Sequence, residues 1–194
     1  GSGAQTIPAF AYNNLTSSST GARTLASSGT IGVAGTFTPG TNAYTVTGST
    51  VDFNGSGAQT IPAFGYNNLT SSSTGARTLA SSGTVGVSGA FTPGSNAYTV
   101  TGSTVNFNGA GAQTVPAFGY NNLTSSSTGA RTLASSGTVG VAGTFTPGTN
   151  AYTVAGSTVD FNGAGAQTIA AFNYNNLTSS STGARTLPSG QTVF

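Results

Sequence analysis

The chain has 194 residues, of which only six are charged, four Arg and two Asp, and it holds no Lys, Glu, His, Cys, Met or Trp. A charged share of 3%, against about 25% in ordinary domains, removes the side chains from which most catalytic constellations and metal sites are built. The chain is therefore read as a non-enzyme, with no catalytic residue, cofactor or metal.

A net charge of +2 is too small to draw the chain to nucleic acid or to an anionic membrane surface. No apolar run approaches the roughly 18 residues of a membrane-spanning helix, so no membrane insertion is expected. Hydrophobic residues make up 36%, with eleven Phe and seven Tyr, which separates the chain from the low-hydrophobicity signature of disorder. It opens without an initiator Met and stops in mid-repeat, as expected of a segment or processed product of something longer.

Along the first 54 residues a Thr followed by an apolar residue recurs, as Thr6-Ile7, Thr24-Leu25, Thr30-Ile31, Thr36-Phe37, Thr45-Val46 and Thr50-Val51. Alternation is clear in Ala43–Thr47 and Ser49–Asn54, and turn signals fall between, at Ser19-Thr20-Gly21, Ser27-Ser28-Gly29, Pro39-Gly40, Thr47-Gly48 and Asn54-Gly55. No stretch carries apolar residues at helical spacing without an interrupting Gly or β-branched residue. The pattern predicts about seven strands of three to six residues, joined by tight turns.

The same unit recurs with a period of 54, as repeats 1–54, 55–108 and 109–162 and a partial repeat 163–194. The first two differ at six positions, all small or near-isosteric: Ala11/Gly65, Ile31/Val85, Ala34/Ser88, Thr36/Ala90, Thr41/Ser95 and Asp52/Asn106. A separate 54-residue sandwich would bury only about 60% of its surface, with neither disulfide nor metal to support it. The expected fold is all-β, a parallel β-helix (β-solenoid) running as one continuous segment over 1–194. Two 27-residue coils per repeat would pair Phe10 with Phe37 and Phe37 with Phe64; three would pair Leu15, Val33 and Val51. The aromatics argue for a wide interior, so two coils are expected.

The run Ser49-Thr50-Val51-Asp52-Phe53-Asn54-Gly55-Ser56-Gly57-Ala58-Gln59-Thr60-Ile61-Pro62-Ala63, with Tyr66-Asn67-Asn68-Leu69-Thr70, resembles repeats of large secreted bacterial surface proteins. These are the filamentous-haemagglutinin-like and autotransporter-like adhesins with right-handed parallel β-helix stalks. Gly35–Gly40 followed by Tyr44–Gly48 is similar to the same material. The resemblance implies an extracellular or cell-surface structural role, with no catalytic residues to carry over.

Three side-chain ladders are expected. Arg23, Arg77, Arg131 and Arg185 form the one positive ladder, either hydrogen-bonded to carbonyls of the Gly-Ala-Arg-Thr bend or exposed as a stripe for acidic glycans. Asn14, Asn68, Asn122 and Asn176 are expected to bond to one another on neighbouring coils. Phe10, Phe64, Phe118 and Phe172 are expected to stack inside, with Tyr hydroxyls at the surface. Asp52, Asn106 and Asp160 share one position, leaving at most one carboxylate per repeat and no calcium site. Ser17-Ser18-Ser19-Thr20 has no base beside it and reads as a solvated turn. The expected function is the shaft of a secreted or surface-displayed fibre or adhesin, partnered by further copies of itself end to end or laterally. The alternative is one flat face binding a cell-surface glycan or, on Thr36-x-Thr38 and Thr45-x-Thr47, ice; Ala90 and Ala155 interrupt both of those arrays.

Overall fold

The computed structural model describes residues 1–189, in two compact units, Gly1–Thr99 and Val100 onward. Every described element is a strand, and every strand pairing is parallel, the signature of stacked coils. Each unit is a parallel β-solenoid.

In the first unit the first repeat supplies β1 (Gln5–Ile7), β2 (Ala11–Tyr12), β3 (Leu15–Thr16), β4 (Arg23–Leu25), β5 (Thr30–Val33), β6 (Phe37–Thr38), β7 (Tyr44–Thr45) and β8 (Thr50–Phe53). The second begins with β9 (Gln59–Ile61), β10 (Gly65–Tyr66), β11 (Asn68–Ser71), β12 (Arg77–Leu79), β13 (Thr84–Val87), β14 (Phe91–Thr92) and β15 (Tyr98–Thr99). The repeat thus uses eight strands of two to four residues, shorter than the sequence pattern suggests. Turn residues such as Gly48 (φ 76°) bend the backbone after so few residues.

Register corrects the coil count. Gln5 stands on Arg23 and Arg23 on Tyr44, and the position returns at Gln59, which stands on Arg77 and then Tyr98. The 54-residue period is therefore three coils of 18, 21 and 15 residues. The expectation of two 27-residue coils is set aside. Its premise was that aromatics require width, yet the rings overlap along the axis instead: Phe53 and Tyr66, on different coils, meet edge to face at 6.3 Å between centroids. A narrow coil can then hold one large ring at a time.

The ladder expected for three coils also shifts. Leu15 stands on Phe37, whereas Ile31 stands on Val51 and Val51 on Leu69. The 15-residue coil has two strands, β7 and β8, where its neighbours have three. β8 lies on β5 on one side and β11 on the other. Ile31, Val33, Val51, Phe53, Leu69 and Tyr66 are buried between the coils. At about 25 cal/mol per Å² of apolar surface, these alternating inward residues supply the main cohesion of the stack.

The second unit follows the same rule. Gln113 stands on Arg131 and Arg131 on Tyr152, then Gln167 on Arg185. Val159 and Phe161 are buried as Val51 and Phe53 are.

Candidate functional site

One corner of each unit is polar inside. Its column carries Gln, Arg and Tyr in rotation on successive coils, Gln59–Arg77–Tyr98 in the first unit and Gln113–Arg131–Tyr152 in the second. Beside the corner the chain turns between strands, where carbonyls that leave the ladder need another donor; others, such as that of Val33, also accept a backbone N–H, from Asn54 at 3.0 Å.

Arg77, 1% exposed, supplies most of these donors. Its Nη2 donates to the carbonyls of Phe53 (2.8 Å), Gly55 (3.0 Å) and Ser72 (2.8 Å), its Nη1 to Gly75 (2.7 Å), and its Nε to Ser71 Oγ (2.8 Å). Phe53 and Gly55 belong to the 15-residue coil, Ser72 and Gly75 to the next, so one guanidinium staples two coils. Gly75 is required by this approach, because a Cβ there would run into the Gly57 carbonyl and Arg77 Nη1. Burial pulls the Arg77 pKa below the usual arginine value, an effect countered by Tyr98 and Asp52. It stays charged at any working pH, since arginine starts above 12. Burial pushes the Tyr98 hydroxyl up, while its hydrogen bond to Ser71 and the Arg77 charge oppose the rise.

The other two coils carry smaller versions of the same device. Gln59 Nε2 donates to the carbonyls of Val33 and Gly35, both at 2.8 Å, and its Oε1 accepts from the Gly55 N–H at 2.8 Å. Asn96 Nδ2 donates to the carbonyls of Ser73 (2.9 Å) and Gly75 (2.8 Å). Ser73 has a left-handed φ of 65°, a conformation costing about 1–2 kcal/mol outside glycine, and Asn96 holds it there. Gln59, Arg77 and Asn96 thus each tie their coil to earlier ones by bonding to backbone.

The expected ladders resolve as follows. Arg23, Arg77 and Arg131 are buried and Arg185 is half-buried. All four bond to the glycine and alanine carbonyls of their own bend. Within each unit they recur every third coil, about 14 Å apart along strands spaced about 4.8 Å, and of the two alternatives for the ladder the bond to bend carbonyls is the one the structure shows.

The asparagines do not meet one another. Asn14 Oδ1 accepts from the Thr36 N–H and Oγ1, both at 2.9 Å, and Asn122 Oδ1 does the same with Thr144 at 3.0 Å. Asn68 Oδ1 accepts from the Ala90 N–H at 2.9 Å, and Asn176 Nδ2 donates to the Ser157 carbonyl at 3.2 Å. The coils place a turn, rather than a second Asn, beside each amide.

Phe10 is 64% exposed, against Tyr12 at 5.4 Å. Phe64, Phe118 and Phe172 are half-buried on the rim of aromatic clusters, Phe64 touching Phe37, Tyr44 and Tyr66 at 4.8–5.2 Å. The fully enclosed rings are Phe53, Phe107 and Phe161. Tyr66 and Tyr120 are also enclosed, their hydroxyls donating to the Pro62 and Pro116 carbonyls at 3.2 Å rather than reaching the surface. Burial raises both hydroxyls well above the usual tyrosine value.

On the outer side of the polar corner the residues alternate with the staples. Thr6, Thr24 and Thr45 stand on one another, as do Thr60, Thr78 and Thr99, and in the second unit Thr114, Thr132 and Thr153. All are exposed, as is the Ala two residues before each. Every coil carries the same tetrad, Ala-(Gln, Arg or Tyr)-Thr-(Ile, Leu or Val), from Ala4–Ile7 to Ala184–Leu187. That tetrad is the signal that would have revealed three coils from sequence, hidden by its uneven spacing. A further groove of about 300 Å³ lies along Pro147, Asn150, Tyr152 and Phe172 in the second unit.

In the polar corner the Arg77 Nη1 and Nη2 groups and the Gln59 and Asn96 amide N–H groups go to backbone and Arg77 Nε to Ser71 Oγ, while Arg131 Nε and the Asn96 and Asn150 Oδ1 atoms are buried without a partner. Among the described residues there is no group of three or more His, Cys, Asp or Glu, and no helix long and apolar enough to cross a membrane. No protein-family model, curated protein or solved structure matches the chain.

Proposed function

We propose that the chain is a non-enzymatic structural repeat region of a secreted or cell-surface bacterial fibre or adhesin, which associates with further copies of itself into rods or filaments. The observation that carries this reading is the staple in every coil. Arg77, Gln59 and Asn96 donate to backbone carbonyls of earlier coils, which serves axial cohesion rather than capture of a substrate. The resemblance of Ser49–Thr70 to repeats of secreted surface proteins supports the location. Electron microscopy of the purified chain tests the reading. Rods or filaments with an axial repeat of about 14 Å, three strands at about 4.8 Å, are expected; only globular monomers at high concentration would overturn it.

A second reading, one flat face binding ice, gains from the threonine ladders. They run uninterrupted through each group of three coils, with Ala beside them and no charge among them. It replaces the arrays at Thr36 and Thr45-x-Thr47, which Ala90 and Ala155 break. Thermal hysteresis abolished by Thr78→Lys would support it, and its absence in the wild-type chain would remove it. Glycan-array binding by the wild-type chain, unaffected by Thr78→Lys, would instead return the alternative to a cell-surface glycan.

A further inference from the structure

The sequence places Asn before Gly at Asn54-Gly55, Asn108-Gly109 and Asn162-Gly163, each directly after a strand that ends in a buried Phe. The pair is chemically hazardous, because a glycine nitrogen has no neighbouring Cβ to keep it from the asparagine side-chain carbonyl. Packing nevertheless demands the glycine. A Cβ at Gly55 would run into the Ala34 carbonyl, and one at Gly163 into the Ala142 carbonyl.

The hazard is self-deamidation. The glycine nitrogen gives up its proton and bonds to the asparagine Cγ, the Cγ–Nδ2 bond breaks, and ammonia leaves with that proton. Water then opens the five-membered imide at either carbonyl, leaving aspartate or isoaspartate. Isoaspartate adds an atom to the main chain, which a stack of coils held in register does not accommodate.

Both reacting groups are held. Gln59 Oε1 accepts the Gly55 N–H at 2.8 Å, Gln113 Oε1 the Gly109 N–H at 2.8 Å, and Gln167 Oε1 the Gly163 N–H at 2.9 Å, all in buried hydrogen bonds. The acceptor is itself fixed. Gln59 Nε2 donates to the Val33 and Gly35 carbonyls and Gln167 Nε2 to those of Val141 and Gly143, all at 2.8 Å. The asparagine amide is laid over the neighbouring coil. A Cβ at Gly32 would stand 2.7 Å from Asn54 Nδ2, and one at Gly140 would stand 2.8 Å from Asn162 Nδ2.

We infer that Asn54, Asn108 and Asn162 are latent self-modification sites, and that Gln59, Gln113 and Gln167 are positioning residues that keep them unreacted by holding the attacking nitrogen. Reaction waits for a coil to open far enough to release the glycine N–H, so conversion at one Asn records opening of its own coil. The inference goes beyond the fibre reading and stands without it.

The test is peptide mapping by mass spectrometry after incubation of the 194-residue chain in mildly alkaline buffer, with aspartate and isoaspartate scored separately at the three positions. In the native wild type all three should convert at least tenfold more slowly than in urea. Gln59→Met leaves the Gly55 N–H without its acceptor, which favours local opening by about tenfold or more. Asn54 should then convert at least tenfold faster than in the wild type, with Asn108 and Asn162 unchanged. Gln113→Met should move the reactive position to Asn108. Slow conversion of Asn54 in a folded Gln59→Met chain, or equal acceleration at all three positions, overturns the inference. Circular dichroism checks the fold of each variant. Should neither variant fold, amide hydrogen exchange of the wild type decides. Protection of the Gly55 N–H equal to that of the Asn54 N–H, which donates to the Val33 carbonyl at 3.0 Å, supports the guard, and exchange at the rate of the unfolded chain overturns it.

Discussion

Replacing Arg77 by Met keeps the length of the side chain and removes every donor. In the wild type the carbonyls of Phe53 and Gly55 lie in buried hydrogen bonds to Arg77, whereas that of Gly75 also accepts from Asn96 Nδ2 at 2.8 Å and keeps a donor in the variant. Each buried carbonyl left without a donor costs about 1–3 kcal/mol, or about 4 kcal/mol for the two at a middling value. Part returns, because a guanidinium no longer has to be taken out of water, a penalty of several kcal/mol in real proteins. A net loss of about 2–3 kcal/mol is expected for Arg77→Met. The repeat supplies its own control. Arg23 bonds to Gly21 (2.6 Å) and Ser18 (2.7 Å) but meets only Gly1, at 3.4 Å, where Arg77 meets Phe53 and Gly55. Arg23→Met should cost about half as much. Arg131→Met should cost less than Arg77→Met, because the Phe107 carbonyl also accepts the Ser126 N–H (3.0 Å), Gly129 keeps Asn150 (2.7 Å), and only Gly109 (3.1 Å) depends on the guanidinium. Urea titrations followed by far-UV circular dichroism measure the series. Equal losses at Arg23 and Arg77, or a loss below about 1 kcal/mol at Arg77, would show that the coils do not depend on the staple.

Two further outcomes follow from groups already described. Tyr66 and Tyr120 have raised folded-state pKa values, so their contribution to stability is complete below the unfolded value of about 10 and is lost as pH rises above it. Each should steepen alkaline destabilisation toward about 1.4 kcal/mol per pH unit, and Tyr66→Phe should flatten the curve between about pH 10 and 12 when urea midpoints are plotted against pH. A curve of the same slope in that variant would contradict the assignment. Asp52→Asn should change stability by less than about 0.5 kcal/mol, because Asn106 and Ser126 already form the amide version of the Asp52–Ser72 pair at 3.0 Å; a urea midpoint clearly displaced from the wild type would count against that equivalence.

Strand-forming segments and their solenoid arrangement were legible because both depend on local patterning. Thr-apolar alternation marks the strands, Gly and Asn mark the turns, and a short period with no disulfide or metal disfavours isolated domains. The coil count was not legible, because it is set by how many residues each turn consumes. Coils of 18, 21 and 15 residues share no fixed offset below 54, so comparison at constant spacing blurs the Ala-x-Thr tetrad. The arginines were legible only as a choice between surface and bend. A guanidinium enters the interior here because turn carbonyls from two coils converge on it, and convergence between coils has no trace in a linear pattern. The same holds for Asn14, whose partner Thr36 is 22 residues away. Phe64 illustrates a third limit: it sits on the rim of a cluster with Phe37 and Tyr44 of other coils, contacts that no linear pattern displays.

The rotation of Gln, Arg and Tyr at the polar corner gives the near absence of charge an energetic reason, and Gln59→Arg tests it. All three positions need a donor for turn carbonyls, and Arg is the richest donor available. Yet neighbouring positions in the column are one strand apart, about 4.8 Å. Two guanidinium charges at that distance repel by about 3.5 kcal/mol at an effective dielectric near 20, whereas three coils apart, at about 14 Å, the figure falls to about 1.2 kcal/mol. Gln59→Arg would set a second cation beside Arg77 and would also forfeit the acceptor that holds the Gly55 N–H. Gln59→Met loses the same hydrogen bonds without adding charge, so the difference between the two variants in a urea titration isolates repulsion. That difference should be about 2–4 kcal/mol, and it should shrink in an Arg77→Gln background, where the new arginine has no cationic neighbour. A difference that persists there would mean the corner rejects the size of the guanidinium rather than its charge. The three-coil period would then reflect packing volume alone.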